Sequence, residues 1–178
     1  MGSLKDFGFQ FEEVLDKDSI ISGSSVYMVT GTRYNNPNPY LRNKDLILHT
    51  CILSQCGIGE QGRIMSQLWS TKGLVVHAFF FCSGDVLLWR DPRIEKGKIG
   101  GPYNSVSLQA LVETDCHRCS KEQILSIKSW IQHCNDVDYS IKVINLLSHD
   151  EARESGRNGQ IDNIDEMRRV MELGDSRI

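Results

Sequence analysis

A glycine-rich segment at residues 57 to 62 has the spacing that most directly suggests ligand chemistry. Gly57, Gly59 and Gly62 form the pattern G-x-G-x-x-G between a predicted strand and a predicted helix. In that setting, backbone N–H groups at a helix N-terminus can contact a pyrophosphate. An acidic residue about 20 positions later should then bind the ribose, but Phe79 to Phe81 stand there. We therefore expect a structural connection that binds no cofactor, with a nucleotide site as the alternative.

A second candidate site is the pair Cys116 and Cys119, spaced C-x-x-C before a predicted helix. With His77 upstream, the chain order is that of the zinc nucleobase deaminases, whose pattern is H-x-E followed by P-C-x-x-C. The residue two positions after His77 is a phenylalanine, so the glutamate that moves protons is absent. We expect two half-buried cysteines and no metal. A structural zinc that also uses His133 or Cys134 is the alternative.

Basic residues cluster in the glycine- and proline-rich segment from 90 to 103, at Arg90, Arg93, Lys96 and Lys98. Because the whole chain has a net charge of -3, any attraction to phosphates must be local. Ile94 and Ile99 are expected to be exposed on the same mobile loop. We expect the four cations to contact RNA or anionic lipid headgroups, with a merely solvated loop as the alternative.

Composition indicates one globular domain. The chain has 178 residues, of which 40% are hydrophobic and 24% are charged. The longest apolar run, Leu74 to Phe81, is far shorter than the ~20 residues that cross a bilayer. Residues 1 to 10 lack the apolar core typical of a signal peptide, so we expect an intracellular protein whose six cysteines are reduced.

The order of predicted elements favours an α+β fold. A helix is predicted over 64–73, and an S-x-x-Q capping box at Ser120 to Gln123 predicts a second helix that ends near Cys134. Strands are predicted over 26–32, 45–55, 74–82, 86–90, 105–113 and 139–147, the third and fourth forming a hairpin. This order is not a regular βαβ alternation. We therefore expect a mainly antiparallel sheet with helices on one face.

Three segments are predicted: an N-terminal arm (1–22), a core domain (23–148) and a polar C-terminal tail (149–178). The arm contains Phe7, Phe9 and Phe11. The tail has a thin apolar stripe that can be helical only if it docks, formed by Ile164, Met167, Val170 and Met171. Both apolar surfaces are expected to lie outside the core and to mediate self-association, with the three phenylalanines as the oligomerisation residues.

The stretch from Val76 to Trp130 resembles the single-domain matrix proteins of negative-strand RNA viruses, of the bornavirus and plant rhabdovirus kind. The shared features are the apolar hairpin with Asp85 to Leu88, the following Asp91 to Arg93, and a helix opened by Lys121 to Gln123. The resemblance implies a self-assembling protein of the host cytoplasm and virion that bridges the ribonucleoprotein and the inner membrane surface.

We therefore expect a non-enzymatic homo-oligomer that has no catalytic residue and no cofactor and binds RNA and anionic membranes. The alternative is an enzyme, nucleotide-binding through the Gly57–Gly62 loop or zinc-dependent through Cys116 and Cys119.

Overall fold

Apolar residues fill at least half of the positions in each of the three longest described strands. The computed structural model describes residues 11–13, 26–29, 47–60, 76–93, 95–137, 140–153 and 159–177. The strands are β1 (Phe11–Glu13), β2 (Val26–Val29), β3 (Leu48–Gly57), β4 (Ala78–Phe80), β5 (Val86–Leu88), β6 (Ser107–Thr114) and β7 (Ile141–Ser148). The helices are α1 (Lys121–Val137), α2 (His149–Ala152) and α3 (Ile164–Met171), with a 3-10 turn at Gly101–Tyr103. The predicted helix over 64–73 lies outside the described residues.

The strands form one sheet in the order β1-β2-β5-β4-β6-β3-β7. The α+β class is confirmed. The expected antiparallel pairing is wrong for the centre of the sheet, because β3 runs parallel to both β6 and β7, and β4 runs parallel to β6. Among the described strands, the antiparallel pairs are β1 with β2 and β4 with β5. The physical reason is the connection: α1 carries the chain back along the sheet after β6, so β7 starts from the same end.

Strand β6 is buried on both faces of the sheet. Its alternation of polar and apolar residues predicted a half-buried strand, but all eight of its residues are buried. Helices α1 and α3 cover one face of the sheet, where Ile127, Trp130 and Met167 join Phe80 in the main core. The opposite face is covered by α2 and by the segment from residue 95 to 106, which supply Ala152, Ile99 and Tyr103.

Local signals placed the hairpin and α1 correctly. Strands β4 and β5 pair around a turn in which Gly84 has φ +90°. The capping box at the start of α1 is formed, since Gln123 N donates to Ser120 Oγ at 3.1 Å and Ser120 N donates to Gln123 Oε1 at 2.8 Å. Within the described residues, no helix is both long enough and apolar enough to cross a membrane.

The C-terminal segment is part of the domain. Met167 and Met171 of α3 are buried in the main core, so the expectation that the apolar stripe lies outside the core is wrong. After α3, Gly174 extends the sheet by pairing with the outer edge of β7, with Leu146 N to Gly174 O at 2.9 Å and Gly174 N to Ile144 O at 2.8 Å. Phe11 lies in β1, which pairs with β2 of the same chain, whereas Phe7 and Phe9 are outside the described residues.

A strained turn separates the two cysteines of the C-x-x-C pair. Cys116 and His117 both have positive φ, at 50° and 63°, and Arg118 N donates to Asp115 O at 3.1 Å across the turn. This conformation costs an ordinary L-residue roughly 1–2 kcal/mol, and glycine escapes the cost. Cys116 is exposed while Cys119 is buried.

We predict that Met167→Ala lowers the free energy of unfolding by about 2–4 kcal/mol, because it opens a cavity in the main core. The matched control is Val170→Ala on the same helix, where the side chain is 36% exposed and the expected loss is below about 1 kcal/mol. Urea unfolding of both variants measures the difference. Equal small losses would show that α3 does not dock on the core.

We also predict that His117→Gly raises the free energy of unfolding by about 1 kcal/mol, because glycine relieves the left-handed strain at that position. The same substitution at His133, within α1, should instead lower it by about 0.5 kcal/mol through the poor helix propensity of glycine. Opposite signs in thermal unfolding support the strained turn. A loss of stability at both positions contradicts it.

Candidate functional site at the end of strand β7

A histidine emerges where β7 ends at the carboxyl edge of the parallel strands. Ser148, the last residue of β7, pairs in register with Leu53 of β3, and His149 follows as the first residue of α2. In sheets with parallel central strands, ligands commonly bind at the carboxyl ends of the strands. A ligand site is therefore expected at this edge of the sheet.

The His149 ring lies beside a backbone carbonyl. The Ile99 carbonyl is close enough to act on the pKa of the ring, and the buried Nε2 finds no hydrogen-bond partner among the described residues. Burial lowers the pKa of His149 from 6.5, as does the nearby Arg153, against the opposing effects of the Ile99 carbonyl and Asp150. At neutral pH the ring is a neutral proton acceptor.

A second segment of the chain, which carries Gly159, packs directly against His149. A Cβ at Gly159 would stand only 2.4 Å from the Cβ of His149 and 2.8 Å from the backbone N of Asp150. No larger residue fits there without a shift of the backbone. His149 thus lies between the segment that carries Ile99 and the segment that carries Gly159.

The Ile99 carbonyl is itself positioned by a buried amide. Gln109 of β6 is fully buried, and its Oε1 accepts the N–H of Ile99 at 2.8 Å. Its Nε2 donates to Asn104 Oδ1 at 3.0 Å and to Ser107 Oγ at 3.1 Å. Gly97 packs so closely on this amide that a Cβ would stand 2.1 Å from Gln109 Oε1. The segment from 97 to 107 therefore wraps around one side chain.

This wrapping contradicts the expectation of a mobile basic loop. Ile99 is buried, and Ile94 is outside the described residues. Arg90 is buried and forms an ion pair with Glu95, with 3.4 Å between Nε and Oε2. Arg93 binds both carboxylate oxygens of Asp91, at 3.0 and 2.8 Å. Lys96 and Lys98 are half-buried. Two of the four cations are therefore held by carboxylates of their own segment.

One backbone N–H group of the glycine-rich loop is already bound by a carboxylate of the same loop. Gly57 N donates to Glu60 Oε2 at 3.3 Å, so a carboxylate stands at an N–H group that a pyrophosphate would need. Gly59 has φ +81°, as a structural turn requires, with no atom within 4 Å of an added Cβ. Gly62 lies outside the described residues. The described part of the loop gives no support to a nucleotide site.

A zinc ion does not fit the described residues. No group of three or more His, Cys, Asp or Glu side chains within the described ranges could hold a metal, whereas a catalytic zinc usually has three protein ligands. His149 offers one donor, and Gly159 beside it offers none. Burial raises the pKa of Cys119 to about 12, and a hydrogen bond to Asp115 raises that of the exposed Cys116, so both are thiols at neutral pH in the metal-free protein. We derive no chemical step through a metal.

The other zinc candidates are used elsewhere in the described structure. His77 is buried, accepts the N–H of Gln109 at its Nδ1 (3.0 Å) and donates from Nε2 to the Glu95 carbonyl (2.7 Å). Burial lowers its pKa to about 4, so it is neutral. Cys134 lies in the main core, where burial raises its pKa to about 12, and His133 is half-buried on α1.

Sequence reasoning missed His149. It recognised S-x-x-Q at the start of α1 but not the equivalent S-x-x-E at Ser148 to Glu151, which marks the start of α2 directly after an apolar strand. The signal was present, but it lay at the predicted boundary between core and tail. The contacts of His149 with Ile99 and Gly159 link distant positions that no sequence pattern reveals.

Comparisons with known proteins give a fold and no sequence family. No family model matches the chain, and no curated protein matches it. Among solved structures, the N-acetylmuramoyl-L-alanine amidase LysC from Clostridium intestinale URNW is 13% identical and aligns over 83% of this chain and 97% of its own, with a TM-score of 0.61. The endolysin amidase LysCS from the same organism is 13% identical, with coverages of 87% and 99% and a TM-score of 0.62. A selenomethionine derivative of AmpD is 10% identical, with coverages of 89% and 98% and a TM-score of 0.60.

These neighbours correct several expectations. The matrix-protein assignment is wrong, because the solved structures that share the fold over nearly their whole length include named amidases. The expectation of a non-enzymatic protein is contradicted for the same reason, as are the expected viral ribonucleoprotein or RNA and anionic membrane partners. The comparisons do not show the expected homo-oligomer. Location in the host cytoplasm and virion stays a prediction. At such low identity, the likeness shows that the chain has the fold of these amidases.

We predict that Gly159→Ala destabilises the protein by about 1–3 kcal/mol, because the added methyl overlaps His149 and the Asp150 backbone. It should also change the NMR signals of the His149 ring. Gly59→Ala is the control: its positive φ should cost about 1 kcal/mol, but with open space around it the His149 signals should not move. Unchanged ring signals in the Gly159 variant would contradict the packing.

Proposed function

We propose that this protein hydrolyses an amide bond in muropeptides, the N-acetylmuramoyl-peptide units of bacterial peptidoglycan, at the carboxyl edge of β3 and β7. The observation that carries the proposal is His149, a neutral imidazole whose buried Nε2 has no hydrogen-bond partner among the described residues. The fold supports the choice of substrate, since neighbours named as N-acetylmuramoyl-L-alanine amidases match the chain over 97% and 99% of their own length.

Amide hydrolysis needs a base that takes a proton from the attacking water and an acid that returns it to the leaving nitrogen. The Nε2 atom of His149 would take both steps in turn once the substrate reaches it, since it is buried in this structure. Water adds to the carbonyl carbon as Nε2 takes its proton, and the C–N bond breaks as the same proton passes to nitrogen. The nearby Ile99 carbonyl favours the imidazolium that forms.

An exposed cation stands beside this base. Arg153 ends α2, and its charge acts on the His149 ring. Its side chain also runs along Gly101, where an added Cβ would lie 3.6 Å from the Arg153 Cγ. A guanidinium on the exposed side of the site suits the carboxylates of a stem peptide. Arg153 would therefore orient the peptide part of the ligand while His149 faces the amide.

The pKa of His149 sets the expected pH dependence. A base must be neutral to act, and the pKa of His149 lies below 6.5 in the folded protein. Hydrolysis should therefore be at its full rate at neutral pH and fall only as the pH drops through the lowered pKa of this residue.

We predict that the wild-type protein releases peptide from an N-acetylmuramoyl-peptide and that His149→Ala slows this at least ~100-fold, the usual contribution of a general base. The control is His133→Ala, a histidine on α1 outside the site. Mass spectrometry of the products measures cleavage, and calorimetry measures binding. Cleavage that is equal in both variants overturns the role of His149.

Two further outcomes separate the parts of the proposal. Wild-type protein that neither binds nor cleaves muropeptides overturns the function, and binding without cleavage overturns the hydrolase. A repeat with a chelator and with added zinc is also informative. Cleavage that requires zinc would keep the function but replace the base mechanism, with the missing ligands lying outside the described residues.

A further inference from the structure

Helix α2 cannot hold its own position. It has four residues, from His149 to Ala152, and a single turn is unstable without outside contacts. Glu151 closes the turn, because its Oε1 accepts the backbone N–H of Ser148 at 2.9 Å. The Ser148 hydroxyl lies between the carboxylates of Asp150 and Glu151 and can donate to either. The orientation of His149 therefore depends on where the Glu151 carboxylate is held.

A guanidinium from α3 holds that carboxylate. Arg168 Nη2 donates to Glu151 Oε1 at 2.6 Å, and Arg168 Nη1 donates to Asp165 Oδ1 at 2.9 Å. Its Nε donates to the carbonyl of Leu146 on β7 at 2.9 Å. One side chain thus joins the strand that leads into the site, the turn that carries His149 and the C-terminal helix.

The ion pair between Arg168 and Glu151 is largely buried. The side chains of Arg168 and Glu151 are only 10% and 16% exposed, so loss of either partner leaves a poorly hydrated charge on the other. Arg177 also reaches Glu151, with Nη2 to Oε2 at 3.0 Å, but its side chain is 53% exposed and its contact is screened by water. Arg168 is therefore the contact that restrains α2.

We propose that Arg168 is a positioning residue for His149, acting through Glu151 to orient the imidazole against the Ile99 carbonyl. The C-terminal segment, which carries Arg168 more than a dozen residues after the site, is then required for the site to form. The inference rests on the proposed function for its importance to catalysis. The geometry of the ring, however, can be measured without any ligand.

The test compares the full-length wild type with Arg168→Met, Arg168→Lys and Arg169→Met by NMR of the histidine ring nitrogens at neutral pH. Wild-type His149 should be neutral at this pH, and its ring-nitrogen shifts give the proportions of its two tautomers. Arg168→Met, which keeps the apolar stem but loses the guanidinium, should change these proportions because α2 is no longer held. Arg168→Lys should restore part of the wild-type signature, since its ammonium can reach one carboxylate.

Arg169→Met is the matched control, because Arg169 is the neighbouring exposed arginine on α3. It should leave the ring signals unchanged. A folded Arg168→Met protein with a wild-type His149 signature overturns the proposal. If that variant does not fold, Glu151→Gln decides, since glutamine can still accept from Ser148 but bears no charge to hold Arg168. A wild-type His149 signature in this variant also overturns the proposal.

A second readout separates this inference from the function. If muropeptide cleavage is present, Arg168→Met should lower kcat by about 100-fold, the cost of a small misplacement of a reacting group, with little change in KM. If wild type shows no cleavage, the tautomer comparison still supports or overturns the positioning role. Equal kcat in the Arg168 and Arg169 variants overturns it.

Discussion

The buried amide of Gln109 is the interaction on which the candidate site depends. Strand β6 has both faces buried, so a polar side chain there must find all its partners within the protein. Gln109 finds them in Ile99, Asn104 and Ser107, and these contacts shape the segment that covers one face of the sheet. Ile99 then has its N–H fixed by Gln109, and its carbonyl acts on the pKa of His149. A residue deep in the sheet thereby helps to shape the surroundings of a residue at its edge.

Two kinds of interaction hold the site: neutral hydrogen bonds on one side and an ion pair on the other. On the side of Ile99, neutral hydrogen bonds of Gln109 hold the covering segment in place. On the other side, the ion pair of Arg168 with Glu151 fixes the one-turn helix, and the glycine at 159 allows the chain to pass directly over the ring. Neither arrangement depends on intrinsic helix or strand propensity. Both depend on partners that are brought together only when β7, α2 and α3 pack.

Shared fold and shared chemistry are separate matters in this protein. The chain has the fold of solved amidases at 10–13% identity, yet the described residues at the edge of its sheet offer one imidazole and no cluster of three metal-binding side chains. Function belongs to sites rather than folds, so the chemistry has to be argued from His149 and its neighbours. The four cations of the 90–98 segment also show that residue type alone does not define a site, because two of them form ion pairs within the loop.

Local patterns determined much of the fold. The sequence by itself determined the α+β class, the hairpin of β4 and β5, the capping box of α1 and the need of the C-terminal stripe to dock, because each depends on neighbouring residues. Pairing direction in the central sheet, the complete burial of β6 and the docking of Met167 into the main core were decided by tertiary structure, since they depend on which segments cover each face. The candidate site was decided in the same way. His149, Ile99, Gly159 and Arg168 are distant in sequence, and only packing brings a carbonyl, a missing side chain and a guanidinium around one imidazole.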